Sequence, residues 1–296
     1  MRVTGNMLFE KLSGDIQGAN ERLFKTYETL SSGKSINAPS DDPVAISVVF
    51  GYKDVIAGLE RYSRNIDFAN AYLSSAETAV SHVSDTLVRL KELAIGQASG
   101  NSTAETRMNT SYEVGELYDG LIAAGNTRTG GRYIFSGYLS AAGAFDANGN
   151  YLGDSNAASL KIGPDAAFTY GFTGEKIFKG VGIPAGVDIY KIVGDFKTAL
   201  ETNNVAGLQT AIDDLDKAAS QINDITAETG ARMNRLDSEK DMIDGFSLEA
   251  RTLLSGIEDA DLAKVSIALA TQQTTLQALQ AAISKVFELN IFNFLR

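Results

Sequence analysis

Apolar residues recur along this chain at alternating spacings of four and three. In the C-terminal half the series runs Leu208, Ile212, Leu215, Ala219, Ile222, Thr226, Thr229, Met233, Leu236, Lys240, Ile243, Ser247, Ala250, Leu254 and Ile257. Thr226, Thr229, Lys240 and Ser247 interrupt it, yet the 3.5-residue period survives and predicts one coiled-coil-like helix over 204–257. No single four-or-three step joins Ile257 to Leu262. The series then resumes through Leu262, Val265, Leu269, Gln272, Leu276, Leu279, Ile283 and Val286. A slip of phase marks a break or a change of partner.

The N-terminal half mirrors this. Leu8, Leu12, Ile16, Ala19, Leu23 and Leu30 predict a helix over 6–30. Val49, Tyr52, Ile56, Leu59 and Ile66 begin a second over 43–98, which continues in shifted phase through Val80, Val83, Leu87, Leu90 and Ala94. QASGNST at 97–103 reads as a turn, and a third helix is expected to about Thr129. The four prolines are Pro39, Pro43, Pro164 and Pro184, so 44–163 and 185–296 are open to long helices. At 1.5 Å per residue the inner helices reach roughly 80 Å and the outer ones roughly 40 Å.

Short-then-long at one end and long-then-short at the other predict a chain folded back on itself, each half burying the other's stripe. The expected fold is mainly α, an elongated antiparallel helical bundle or coiled coil built from both chain halves. Residues 138–187 differ. Nine glycines, two prolines and the short runs LKI, FTYGF and EKIF read as small strands joined by turns. They predict a small β-rich domain inserted at the tip, where an insertion disturbs the shaft least. Three domains follow: 1–42 plus 258–296 as a terminal coiled coil, 43–137 plus 188–257 as a helical shaft, and 138–187 as an outer β domain.

The stretch SSGKSINAPSDDPVAIS at 31–47 is the joint between the first two helices. Gly33 suits a left-handed C-cap, and Pro39 keeps Ala38 extended. Asp42 is placed to cap the second helix with Pro43 at its first position, and Asp41 and Asp42 both suit its positive end.

Charge and composition then remove classes. A net charge of −11 argues against general binding to nucleic acid or anionic lipid. With no cysteine there is no disulfide, thiol catalysis or Cys-based zinc site. MRVTGNMLFEKLSGD lacks the apolar core of a secretory signal peptide. Twenty uncharged residues lie between Lys264 and Lys285, but nine are Ser, Thr or Gln, too polar for a lipid-facing span. His82, the only histidine, falls out of the apolar phase and is expected to point outward. DANGNYLGD at 146–154 places Asp146, Asn148 and Asn150 like a calcium loop, but Tyr151 and Ala157 stand where Gly and Glu are required, so a tight turn is expected. GVGIPAG at 180–186 fits no nucleotide loop. These features predict no catalytic site, cofactor or metal. The chain end VFELNIFNFLR clusters Phe287, Ile291, Phe292, Phe294 and Leu295. Apolar ends on both sides point to surfaces that bury against other subunits.

Three motifs carry a resemblance. LSSGKSINAPSDDPVAIS (30–47) is similar to the N-terminal signature of the bacterial flagellin and hook-associated family, and LVRLKELAIGQASGN (87–101) resembles its second signature. GRYIFSGY (131–138), a glycine-rich insert and the ending FNFLR complete the likeness, which covers about 1–138 and 205–296. The Pro39-Ser-Asp-Asp-Pro43 run and the IFSG element resemble members at the hook–filament junction more than filament subunits. The resemblance implies a secreted structural protein of the flagellum, exported without a cleaved signal. It implies a homo-oligomeric ring contacting a preceding hook-associated protein and flagellin, served by an export chaperone. The joint would comprise Gly33, Pro39, Asp41, Asp42 and Pro43. Self-assembly would fall to Leu8, Leu12, Ile16, Leu23, Leu30, Leu262, Val265, Leu269, Leu276, Leu279, Ile283 and Val286. A filament flagellin, and a coiled-coil receptor or glycan-binding surface protein acting through 138–187, are the alternatives.

Overall fold

A computed structural model describes residues 5–294, with side chains described throughout that range except at 5, 6, 8, 9 and 286–294. Seven helices carry the described chain: α1 (Gly5–Ser32), α2 (Pro43–Ala98), α3 (Ala104–Gly125), α4 (Gly174–Lys179), α5 (Ile189–Glu201), α6 (Val205–Glu258) and α7 (Leu262–Phe294). Strands β1 (Arg128–Thr129) and β2 (Arg132–Tyr133) form one antiparallel hairpin, and β3 (Ser159–Lys161) and β4 (Ala167–Thr169) another. The protein is mainly α with two small sheets. No described helix is long and apolar enough to cross a membrane.

The chain divides into two compact units. One holds the residues up to Gly58 and from Phe246 on, the other Leu59–Gly245. In the second unit α2 and α6 run antiparallel. Lys240 pairs with Asp67, Asn70 donates to Asp237 Oδ1 at 3.1 Å, and Lys91 pairs with Asp216. Asp67 to Lys91 on α2 and Lys240 back to Asp216 on α6 are both 24 residues, so the register holds over about 36 Å. Lys240 is thus an interruption of the seam with a partner. Thr229, another, is buried and donates to Ile225 O at 2.7 Å within its own helix. Of the fifteen seam positions on α6, every one except Thr226 is buried or half-buried.

One continuous core fills this unit. It joins Val80, Val83, Leu87, Leu90 and Ala94 of α2 to Leu208, Leu215, Ile222 and Leu236 of α6, and extends to Phe145, Phe168, Phe172 and Phe178 of the insert. These four insert phenylalanines therefore serve the core. Phe178 stacks on Tyr190 at 5.3 Å and meets Phe135 and Phe145 edge-on. Gly125 ends α3 against these rings, where a Cβ would stand 2.4 Å from Tyr190 Oη.

Two local expectations are corrected. EKIF is not a strand but the body of α4, capped by Thr173 Oγ1 on Lys176 N–H and ended by Gly180 at φ 69°. The third helix stops at Gly125 rather than near Thr129, because Gly130 and Gly131, both at positive φ, turn the chain into the β1–β2 hairpin. Asp146 does form a tight turn: Oδ1 accepts from the N–H groups of Asn148 and Asn150, both at 2.8 Å, and Oδ2 accepts from Asn150 Nδ2 at 2.8 Å. GVGIPAG folds as two successive turns, closed by Ile183 N–H on Gly180 O and Gly186 N–H on Ile183 O.

Phe178 is fully buried among three aromatic neighbours. Phe178→Ala is expected to cost about 3–5 kcal/mol, read as a lower denaturant midpoint for the second unit in chemical unfolding.

Candidate functional site

The first unit holds every residue predicted for the joint and for assembly. Its helices α1 and α7 pack as an antiparallel pair: Thr26 Oγ1 donates to Gln272 Oε1 at 2.8 Å, and Gln273 Nε2 donates to Tyr27 Oη at 2.7 Å. Leu12, Ile16, Leu23 and Leu30 on α1, and Val265, Leu269, Leu276, Leu279 and Ile283 on α7, are all half-buried. Leu262, at the first turn of α7, is 51% exposed and stands outside that stripe. The side chains of Leu8, Val286 and the aromatic cluster at 287–295 lie outside the described residues.

Full burial is rare in this unit. Among its described apolar residues only Ala19, Ile36, Val49 and Ala250 are buried. Large apolar side chains stand open instead: Phe24 is 75% exposed, Val44 75% and Ile267 69%. Two helices packed only on each other leave one flank of every seam side chain uncovered, which is the burial pattern seen.

The joint is built around Gly33. At φ 71° it donates to Thr29 O at 2.9 Å and closes α1 as a left-handed cap. The backbone then runs beside the α6–α7 connection. Ser35 N–H donates to Glu258 O at 2.7 Å, Ala260 N–H donates to Gly33 O at 2.9 Å, and Lys34 pairs antiparallel with Asp259. The phase slip between Ile257 and Leu262 is thus a break in the helix at Asp259–Asp261, paired with the joint.

Asp42 caps α2 as its position predicts, accepting from Val44 N–H at 3.0 Å and Ala45 N–H at 2.9 Å, with Pro43 leading the helix. Asp41 does something else. Its Oδ2 accepts from the Asn37 and Ala38 N–H groups, both at 3.0 Å, and its Oδ1 lies 2.8 Å from Lys25 Nζ on α1. The expected role at the positive end of α2 is therefore corrected for Asp41. Its carboxylate folds back over the loop because the turn at Ala38–Asp41 presents two free N–H groups to it. Pro39 is exposed within that turn.

Sequence patterning missed Glu258. It is 5% exposed, and its Oε1 lies 3.0 Å from Lys34 Nζ and 2.6 Å from Lys53 Nζ. Burial pushes its carboxyl up, but the hydrogen bonds and charges of Lys53 and Lys34 outweigh this and hold it below its ordinary value. The available signal was a lone acid in the last turn of a helix, where the dipole disfavours it.

These features define a class: helical proteins whose two chain ends fold together as one antiparallel pair, each leading into a long helix. Residues 3–140 match the bacterial flagellin N-terminal helical region and 212–295 the bacterial flagellin C-terminal helical region, and the chain belongs to this family. It is 25% identical over 313 residues to flagellar hook-associated protein 3 of Escherichia coli (strain K12), covering 99% of each chain. It is 26% identical over 263 residues to a flagellin of Listeria monocytogenes, covering 89% of this chain and 88% of that one. Flagellar hook-associated protein 3 of Legionella pneumophila shares the fold at a TM-score of 0.63 and 15% identity, over 71% of this chain and 98% of that one. The likeness to hook-associated protein 3 is the fuller one. The family is structural, and the chain is a flagellar component.

Asp41 is lowered from 3.8 to about 2, first by its hydrogen bond to Lys25 and then by the Ala38 and Asn37 N–H groups. A depressed carboxyl stabilises the fold above its unfolded value, and that contribution fades as pH falls from about 3.8 through about 2. In Lys25→Met the Asp41 carboxyl, followed by carbon-detected NMR, is expected to titrate at a higher midpoint. An unchanged midpoint would show that the backbone N–H groups alone set it.

Proposed function

We propose that this chain is a structural adaptor that polymerises at the hook–filament junction of the bacterial flagellum, linking the preceding hook-associated protein to flagellin. The observation that carries the reading is the first unit's pair of half-closed helices. It holds ordered secondary structure with almost no core of its own, so its apolar stripes are completed by neighbouring copies. The end-to-end likeness to hook-associated protein 3 supports the junction over the filament.

Labour divides at the joint. Residues 1–42 with 258–296 form the assembling coiled coil, and Leu12, Ile16, Leu23, Leu30, Val265, Leu269, Leu276, Leu279 and Ile283 carry subunit contacts, with Leu262 adding exposed apolar surface beside the stripe and Leu8 and Val286 continuing the same sequence period. Residues 43–137 with 188–257 act as the shaft, and 138–187 as the outer insert. The chain leaves the cell unfolded through the flagellar export apparatus, bound beforehand by a chaperone. A sequence without cysteine suits that route. The role is structural, not catalytic. His82, exposed on α2, has no companion histidine in the sequence.

Deletion of the gene is expected to leave an intact hook while flagellin is lost, unassembled, to the medium. Loss of the filament subunit with the junction still present would assign the chain to flagellin instead. Limited proteolysis of the dilute monomer is expected to cut within 1–35 and 260–296 before 59–245. Full protection of both ends would overturn ordering on assembly.

A further inference from the structure

The second unit holds a cleft of about 370 Å³ where the two hairpins meet α2. Phe68 and Tyr72 of α2, Tyr138 of the loop after β2, and Tyr170 just after β4 line it. Phe68 and Tyr170 meet edge to face at 5.7 Å, and Tyr72 and Tyr170 at 4.9 Å. Tyr72 is anchored from below, its hydroxyl donating to Ile134 O. Phe68 and Tyr138 are 54% and 62% exposed, so ring surface is presented to solvent rather than spent in the core.

Polar groups share the lining. They belong to Thr129, Ser140, Ser159 and Arg132. Arg132 makes no ion pair among the described residues. Arg128, opposite Tyr133 across the hairpin, lies over that ring at 4.1 Å and is not among the residues lining the cleft.

We propose that this cleft binds a carbohydrate bearing a carboxylate. A pyranose ring has a flat C–H face suited to exposed aromatic rings and a hydroxyl rim suited to Ser, Thr and Tyr. A carboxylate matches the planar donors of Arg132. The volume falls at the lower end of small-ligand sites, which are mostly apolar with a few placed polar groups. It holds one or two sugar rings and is short for an extended peptide. The proposal is independent of the junction role, since it concerns none of the first unit's surface.

The test is saturation-transfer NMR on the full-length protein, with a glucuronate-containing disaccharide, its neutral glucose counterpart and a triglutamate peptide as probes. The acidic disaccharide is expected to receive saturation at millimolar concentration. Arg132→Gln should weaken it about tenfold, the loss of one charge-assisted contact, and leave the neutral sugar unchanged. Tyr138→Ala should abolish transfer to both sugars, with thermal melting of both variants unaltered because the two side chains are exposed. No transfer to either sugar, or transfer unchanged in Tyr138→Ala, would overturn the proposal. Transfer to triglutamate alone, lost in Arg132→Gln, would overturn it in favour of an acidic protein segment.

Discussion

A helix offers its apolar stripe to whatever covers it, and one neighbouring helix covers only half. That constraint governs the first unit. The same three-four spacing runs along α6 and α7, but with different outcomes. Leu215, Ile222 and Leu236 are within 1% of full burial, because α2, the short helices and the insert close over them. Leu269, Leu276 and Leu279 on α7 stay half-buried against α1. Fully burying a leucine is worth about 1.5–3 kcal/mol, so a half-covered seam leaves much of this gain unclaimed. Fixing the backbone still costs roughly 1–2 kcal/mol per residue. The pair is therefore marginal alone and becomes secure only when further apolar surface covers it.

The joint meets a different requirement. Two chain passages, Gly33–Ser35 and Glu258–Ala260, must leave helices without stranding their backbone groups. They hydrogen-bond to each other as a short antiparallel bridge. Glu258 then draws Lys34 from one passage and Lys53 from α2 onto a single carboxylate oxygen. Such a buried pairing contributes little net stability, because desolvation offsets the attraction. Its effect is to make one arrangement of the three segments much better than its neighbours, since moving any of them strands a charge. Asp41 does the same for the loop, tying Asn37 and Ala38 to Lys25 of α1.

What the sequence made legible was what is local or periodic. Pro43 after Asp42 and the proline-free stretch behind it mark the start of α2, and QASGNST its end. The missing step between Ile257 and Leu262 marks the break between α6 and α7. EKIF reads as a strand yet folds as a helix, because four residues with two apolar positions fit a strand or a helical turn equally. Thr173 and Gly180, the caps that decide for a helix, lie just outside the run. Glu258 was invisible for another reason. Its partner Lys34 is 224 residues away, and no period or spacing links them. The aromatic cleft is equally non-local, since Phe68 and Tyr170 come together only when β4 reaches α2.

A repeating apolar seam specifies that two helices pair but only weakly where, because sliding by seven residues restores similar contacts. On α2 and α6 the charged pairs from Asp67 to Lys91 remove that freedom, and the filled core reinforces them. On α1 and α7 the core is too thin to help, so the choice rests on polar side chains within and beside the stripe. Thr26 meets Gln272 and Tyr27 meets Gln273, adjacent residues pairing with adjacent residues. A shift of one heptad would leave all four without these partners. In a fully buried seam such groups would be costly, but here the stripe is half open to water and the cost is small. Gln272, an interruption in the apolar series, is thus a register pin. It fits a helical pair that must hold its alignment before other surfaces close over it.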